Sequence, residues 1–124
     1  MKEVIAIIRR QNIHMTKTAL DGLGFVSMSI ISVSGRGKQK GFIGEVDPAM
    51  AEILPDAGET DPIARFIPKR MLMLVTEDEY VAEIVETIMR VNRTGYLGDG
   101  KIFVCPIEDA VRIRTGERGV KALR

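Results

Sequence analysis

One pattern occurs twice in this chain: a short apolar run, a helically spaced segment and a second apolar run, repeated on either side of an acidic stretch. In the first half Val4-Ile-Ala-Ile-Ile8 reads as a strand. Ile13, Leu20 and Leu23, with Thr16 or Lys17 between them, carry loose helical spacing, and Gly22 and Gly24 supply a stop. Phe25 to Val33 is β-branched and apolar, a second strand. In the second half Met71-Leu-Met-Leu-Val75 is a third strand. Thr76 and Glu79 have capping-box spacing ahead of a helix with Val81, Ile84, Val85 and Ile88 on its apolar face. Lys101 to Cys105 is a fourth strand. The order β-α-β, long loop, β-α-β predicts an α+β, ferredoxin-like double βαβ: one antiparallel sheet backed by two helices.

The 124 residues, 45% apolar and 28% charged, read as one domain over 1–124, with enough core to need no metal or disulfide staple. Cys105 sits in an apolar run and is expected to be a buried core thiol in a reducing compartment. One Cys and one His cannot assemble a metal site. The N-terminus passes straight into a strand-like run, and no apolar stretch approaches the ~20 residues of a membrane span. A soluble, cytoplasmic protein is expected. The net charge is only +1, but it is unevenly spread. Residues 42–66 carry six acids against Arg65 and sum to −5, leaving +6 elsewhere, and they hold three of the five prolines. A loop of this length in a small domain is uncommon and tends to be functional.

The chemistry concentrates in Thr94-Gly-Tyr-Leu-Gly-Asp-Gly-Lys101 and Arg112-Ile-Arg114-Thr-Gly-Glu117. Gly95, Gly98 and Gly100 let a loop bend so that its N–H groups face one way, and Lys101 adds a point charge. Arg112 and Arg114, two apart on an expected strand, would project from one face. With Lys38 they make a four-cation set suited to a polyphosphate. Two familiar motifs fail. Gly95-x-x-x-x-Gly100-Lys101 has most of a Walker A spacing, but Ile102 stands where Ser or Thr must hold magnesium, and a strand follows where a helix is required. Gly35-Arg-Gly37-Lys-Gln-Lys-Gly41 places its third glycine one residue late for a dinucleotide fingerprint. His14 and the seven methionines read as surface and packing residues.

Together, Gly35-Arg-Gly-Lys-Gln-Lys-Gly41, Thr94 to Val104 and Arg112 to Glu117 resemble the PII nitrogen-signalling family, and the likeness extends over the chain except for the long loop. Lys2 to Ile8 and Phe66-Ile-Pro-Lys69 also stand where the family has them. The long acidic loop, Ile67-Pro-Lys-Arg70 and Val91-Asn-Arg-Thr94 are most similar to the branch that regulates nitrogenase. The resemblance implies a homotrimer, or a mixed trimer with a paralogue, with ATP and ADP competing for clefts between subunits. Gly35, Gly37, Lys38 and Gln39 match the base of the family's T-loop, and Gly98, Asp99, Gly100 and Lys101 its B-loop. Arg112 and Arg114 would reach in from the neighbouring subunit. Ser29 stands at a nucleotide-contacting position and Val75 beside the base, while Met73 departs from a glutamate found there in other members, and a thioether cannot accept as a carboxylate does.

The resemblance further implies that 2-oxoglutarate binds with Mg-ATP. Gln39 would join the magnesium, Lys69 would take the distal carboxylate, and Lys40, Gly41 and Gly98 would complete the effector site. Binding there would reset the 42–66 loop, a coupling that needs only ~1–3 kcal/mol of preference between states. That loop lacks the tyrosine or serine that other members modify, since Tyr80 and Tyr96 lie elsewhere and Thr60 is its one hydroxyl. Small-molecule sensing is therefore expected to replace covalent control. The implied protein is a regulator with no positioned base or nucleophile, capable at most of slow ATP hydrolysis. The favoured partner is dinitrogenase, inhibited by the loop when 2-oxoglutarate is low. The alternatives are a soluble enzyme such as glutamine synthetase, or an ammonium transporter, for which Arg65 sits at the loop's far edge. No nucleic acid or membrane insertion is implied.

Overall fold

In the computed structural model, which describes residues 1–37 and 66–124, β1 (Lys2–Arg9) pairs antiparallel with β3 (Ile67–Thr76) on one side and with β4 (Lys101–Pro106) on the other. β2 (Ser29–Gly35) adds to the outer edge of β3, giving the order β2-β3-β1-β4. Two helices, α1 (Ile13–Gly22) and α2 (Val81–Asn92), make the crossovers. This is the expected ferredoxin-like α+β plan.

Strand alternation decides which face the helices cover. β1 buries Val4, Ala6 and Ile8, and the register sets Val4 opposite Leu74 and Ala6 opposite Leu72. Leu20 of α1 and the i, i+4 pair Ile84 and Ile88 of α2 close this core, and all three are essentially inaccessible to solvent. Each such side chain contributes about 1.5–3 kcal/mol by leaving water. The helices are also pinned to each other by a buried polar link. Asn92 Nδ2 donates to Thr16 Oγ1 (3.0 Å) and to the Ile88 carbonyl (2.9 Å), while the Thr16 hydroxyl donates to the Asn12 carbonyl (2.7 Å).

Four local expectations are corrected. Phe25–Met28 is not part of β2: Phe25 N donates to the Leu20 carbonyl (3.0 Å), and Phe25 and Met28 pack on the core before the strand begins at Ser29. Thr76 is not a helix cap. It is buried as the last residue of β3, paired with Lys2, and a 3-10 turn (Asp78–Tyr80) precedes α2 without any side-chain cap. The β1–β3 ladder has claimed the residue that local spacing assigned to the helix. Cys105 is half-buried and outside the core, because its register partner Glu3 lies on the face opposite Val4. Arg112 and Arg114 lie on no strand. Val111 bridges Arg118, and a turn follows in which Gly116 N donates to the Arg112 carbonyl (2.7 Å) and Arg112 N to the Glu117 carbonyl (2.9 Å).

The sheet face away from the helices is also apolar. Ile5 lies between Met73 and Phe103, and Ile31 pairs with Met71, which in turn pairs with Ile7. Phe103 is 47% and Ile31 44% exposed, so a broad apolar sheet face remains open to another surface. At one end of that face stand Arg9 and Lys69, directly opposite each other. Among the described residues no helix is long and apolar enough to cross a membrane.

Candidate functional site

The glycine loop is built around one carboxylate. α2 ends as Arg93 N donates to the Met89 carbonyl (2.8 Å), and the chain then wraps Asp99. Asp99 Oδ2 accepts from the amides of Thr94 (2.8 Å) and Gly95 (3.0 Å). Asp99 Oδ1 accepts from the Thr94 hydroxyl and from Arg9 Nη1 (2.6 Å). The Thr94 hydroxyl first, and the Arg9 guanidinium second, hold this carboxyl well below the usual carboxylate range. The turn back into β4 requires glycine at position 100: φ is +112°, and a Cβ there would lie 1.9 Å from the Ile7 carbonyl oxygen.

Two cations from the sheet complete the arrangement. Arg9 and Lys69 face each other across β1 and β3, a like-charge pairing that is unfavourable on its own. Each is discharged on the loop: Arg9 Nη2 donates to the Leu97 carbonyl (3.0 Å) and Lys69 Nζ to the Gly98 carbonyl (2.9 Å). Lys69 is only 8% exposed. The peptide units that turn those carbonyls to the sheet carry the N–H groups of Gly98 and Asp99, and these, like the Leu97 N–H, donate to no protein acceptor among the described residues. Gly98 has φ +96°, the left-handed geometry that lets successive amides form an anion-binding concavity. Lys101, exposed and paired with Ile7, opens β4 at the same end. β2 also ends here, with Gly35 paired to Ile67. The Arg36 guanidinium lies 5.8 Å from the centroid of the Phe66 ring, a cation–π contact joining the two limbs that lead to residues 38–65.

The fold therefore gathers Gly35, Gly37, Lys69, Gly98, Asp99, Gly100 and Lys101 at one end of the sheet. Ser29 and Val75 lie toward the other end, six residues along β2 and β3 from Gly35 and Lys69, or about 20 Å by strand rise. Val75 lines a cleft of about 600 Å³ with Phe25, Val26, Tyr80 and the tail residues Leu123 and Arg124. Arg112 and Arg114 are not brought to the glycine loop within the chain. Arg112 pairs with Glu117 (3.1 Å) and donates to the Lys121 and Arg124 carbonyls, and the tail is tied to Glu77 by Arg124 (2.9 Å), at the far end of β3. Arg114 is exposed and makes no ion pair among the described residues. Lys38, Gln39, Lys40 and Gly41 lie outside the described residues, with the magnesium assignment to Gln39 and the acidic stretch.

Sequence reasoning missed Arg9 and Thr94. Strand alternation puts Arg9 on the face of Ile5 and Ile7, but only the register shows that it meets Lys69. For Thr94 the available signal was its five-residue spacing to Asp99 across a glycine turn.

A family model described as nitrogen regulatory protein P-II matches residues 1–117. The chain is 55% identical over 123 residues to a nitrogen fixation nifHD region GlnB-like protein 2 of Methanobacterium ivanovii, covering 99% of each. A protein of the same description from Methanococcus maripaludis is 50% identical over 125 residues, covering 99% of this chain and all of the relative. Among solved structures, Arabidopsis thaliana PII bound to citrate superposes with a TM-score of 0.73 at 31% identity, covering 99% of this chain and 89% of that one.

Proposed function

The chain belongs to the nitrogen regulatory protein P-II family, in its nitrogen-fixation branch, and from that membership we propose a nucleotide- and 2-oxoglutarate-responsive regulator of nitrogenase. One observation carries the reading: the cations and amides assigned above to a polyphosphate are divided between opposite ends of the sheet. The open amides of Leu97 and Gly98, with Lys101, Lys69 and Arg9, form a cationic pole, while Arg112 and Arg114 stand at the other end. One copy cannot unite them. We propose a trimer packed through the open face of Ile5, Ile7, Met71, Met73 and Phe103, in which one copy's arginines meet the next copy's glycine loop.

In that assembly the phosphates of ATP or ADP rest on the amides at Leu97 and Gly98 and on Lys101, with Gly35, Gly37 and Lys38 covering them. Ser29 and Val75 flank the base, at a separation an extended nucleotide can span. The donor set of amides, ammonium and guanidinium groups suits phosphate oxygens. Magnesium, when bound, would screen the triphosphate and offer oxygen coordination to a keto acid, with Gln39 as the protein residue proposed to join it. Lys69 takes the distal carboxylate of 2-oxoglutarate, and Gly98, Lys40 and Gly41 border that site. Lys69 already donates to the Gly98 carbonyl, so effector and nucleotide loop share one ammonium group. The names of the relatives, taken from a nitrogen fixation gene region, support nitrogenase as the target, and the acidic 42–66 loop is the docking element we assign to it.

The test is acetylene reduction by purified nitrogenase. The protein should inhibit when 2-oxoglutarate is absent and release the enzyme when 2-oxoglutarate and Mg-ATP are added. A variant lacking residues 42–66 should still bind ATP by calorimetry and no longer inhibit. Undiminished inhibition by that variant would overturn the docking role.

A further inference from the structure

Asp99 stands in the middle of a loop that otherwise offers amides and cations to an anion, where a carboxylate would repel phosphate if it faced the ligand. Its oxygens face the other way. An ionised carboxylate has about four lone-pair sites, and Asp99 has filled them: Arg9 Nη1 and the Thr94 hydroxyl on Oδ1, the Thr94 and Gly95 amides on Oδ2. No acceptor position is left for a metal ion or an incoming donor. Its negative charge is balanced by Arg9 within the chain. Thr94 extends the arrangement, because the hydroxyl that donates to Asp99 also accepts from the Tyr96 amide (3.2 Å). The amides of Thr94, Gly95 and Tyr96 are thereby consumed inside the loop, and the Leu97 and Gly98 carbonyls are held by Arg9 and Lys69, so that the N–H groups of the same two peptide units, those of Gly98 and Asp99, are turned away from the sheet.

We infer that Asp99 is a positioning residue and not a ligand contact, and that Asp99, Thr94 and Arg9 act as one unit setting the glycine-loop amides for an anion. The inference rests on the phosphate reading of this loop given above. The members depend on one another: Asp99 holds the Thr94 and Gly95 amides, the Thr94 hydroxyl holds Asp99 and the Tyr96 amide, and Arg9 holds Asp99 and the Leu97 carbonyl, so losing one loosens the rest and losing a second adds little.

The experiment compares wild type with Thr94→Val, Asp99→Asn and the double variant, using ATP with magnesium and ADP without it as calorimetric probes. Thr94→Val keeps the side-chain volume and removes only the hydroxyl. Asp99→Asn removes the charge and replaces one acceptor oxygen by an NH₂, which must face either the Thr94 and Gly95 amides or the Arg9 guanidinium. Each single variant should weaken ATP and magnesium-free ADP together, by roughly ten- to fifty-fold, as for loss of charge-assisted positioning bonds. The double variant should be no weaker than about three-fold below the worse single. Hydrogen exchange of the Gly95 and Tyr96 amides in the ligand-free protein should rise at least ten-fold in both single variants, a readout independent of any nucleotide. Three results would overturn the inference: loss of Mg-ATP binding with ADP unchanged in Asp99→Asn, which marks a metal contact; multiplicative losses in the double variant; or unchanged binding and exchange in Thr94→Val. If Asp99→Asn fails to fold, the comparison of Thr94→Val with Thr94→Ser decides, since only Ser restores the hydroxyl. Wild type that binds neither nucleotide while the exchange effects hold would refute the phosphate reading and leave the positioning unit standing.

Discussion

Gly100 and Gly95 both adopt positive φ, at +112° and +87°, yet substituting them should have different consequences. An alanine at 95 meets nothing within 4 Å, so its cost is the backbone conformation alone, about 1–2 kcal/mol. An alanine at 100 adds a Cβ only 1.9 Å from the Ile7 carbonyl oxygen and 3.0 Å from its carbonyl carbon. Both partners are backbone, so no rotamer change relieves the overlap, and the loop or β1 must move by more than 1 Å at ordinary contact distance. That movement disturbs the ladder where Lys101 faces Ile7 and Ile102 faces Ala6, at about 0.5–1.5 kcal/mol for each hydrogen bond lost. Gly100→Ala should therefore cost about 3–5 kcal/mol and Gly95→Ala about 1–2. Urea unfolding at one fixed protein concentration measures both, the concentration being held because assembly would shift the midpoint. Equal destabilisation by the two variants would refute the close crossing of the loop over β1. A Gly100→Ala protein of normal stability and normal nucleotide affinity would refute it outright.

Lys69→Met should weaken 2-oxoglutarate by at least ten-fold and ATP much less in calorimetric titrations, and equal losses would contradict the effector role of Lys69. Ile88→Ala should lower stability by about 2–5 kcal/mol in urea unfolding, because the side chain is 1% exposed in the core between the helices and the sheet. The Asp99 carboxyl is depressed in the folded state, so its contribution is complete above the unfolded carboxylate value near pH 3.9 and is lost as pH falls from there toward the folded value. The urea midpoint of wild type should fall more steeply than that of Asp99→Asn between pH 5 and pH 3, and parallel slopes would remove Asp99 from the acid response.

The sheet and helices were legible because two periodicities repeat cleanly. Val4, Ala6 and Ile8 alternate in β1, and Ile84 and Ile88 mark one side of α2. The misreadings arose where a tertiary partner outcompeted a local signal. Thr76 has the neighbours of a helix cap, but Lys2 pairs with it across the sheet. Phe25 has strand propensity, yet it packs edge-on against Tyr80 at 5.7 Å and leaves the strand to begin at Ser29. Cys105 belongs to an apolar run, but the pleat turned it away from the core. In the candidate site, the glycines and Lys101 were readable as local chemistry. Arg9 was not, since its partners Asp99 and Leu97 are about ninety residues away and depend on the β1–β4 pairing.

The opposed pair Arg9 and Lys69 also explains why the glycine loop has the polarity it has. Two cations at one register position of an antiparallel ladder need nearby negative charge or carbonyl oxygen. The loop meets that need with the Asp99 carboxylate and the Leu97 and Gly98 carbonyls, all directed at the sheet. A peptide unit that points its carbonyl one way points its N–H roughly the other way. Satisfying the cations therefore turns amides toward solvent, and the three positive-φ glycines allow the backbone to do so. In the proposed effector site a dicarboxylate at Lys69 would share its ammonium group with the Gly98 carbonyl, and so would act on the peptide unit that carries the Asp99 amide. The proposed sites for effector and phosphate would thus be coupled through one short stretch of backbone, with no movement of the sheet required. Replacing Lys69 with methionine tests this directly: the Gly98 carbonyl loses its donor, and exchange at the Gly98 and Asp99 amides on either side of it should change in the ligand-free protein. If those amides exchange as in wild type, the polarity of the loop is set by the glycines alone and the shared-ammonium coupling is wrong.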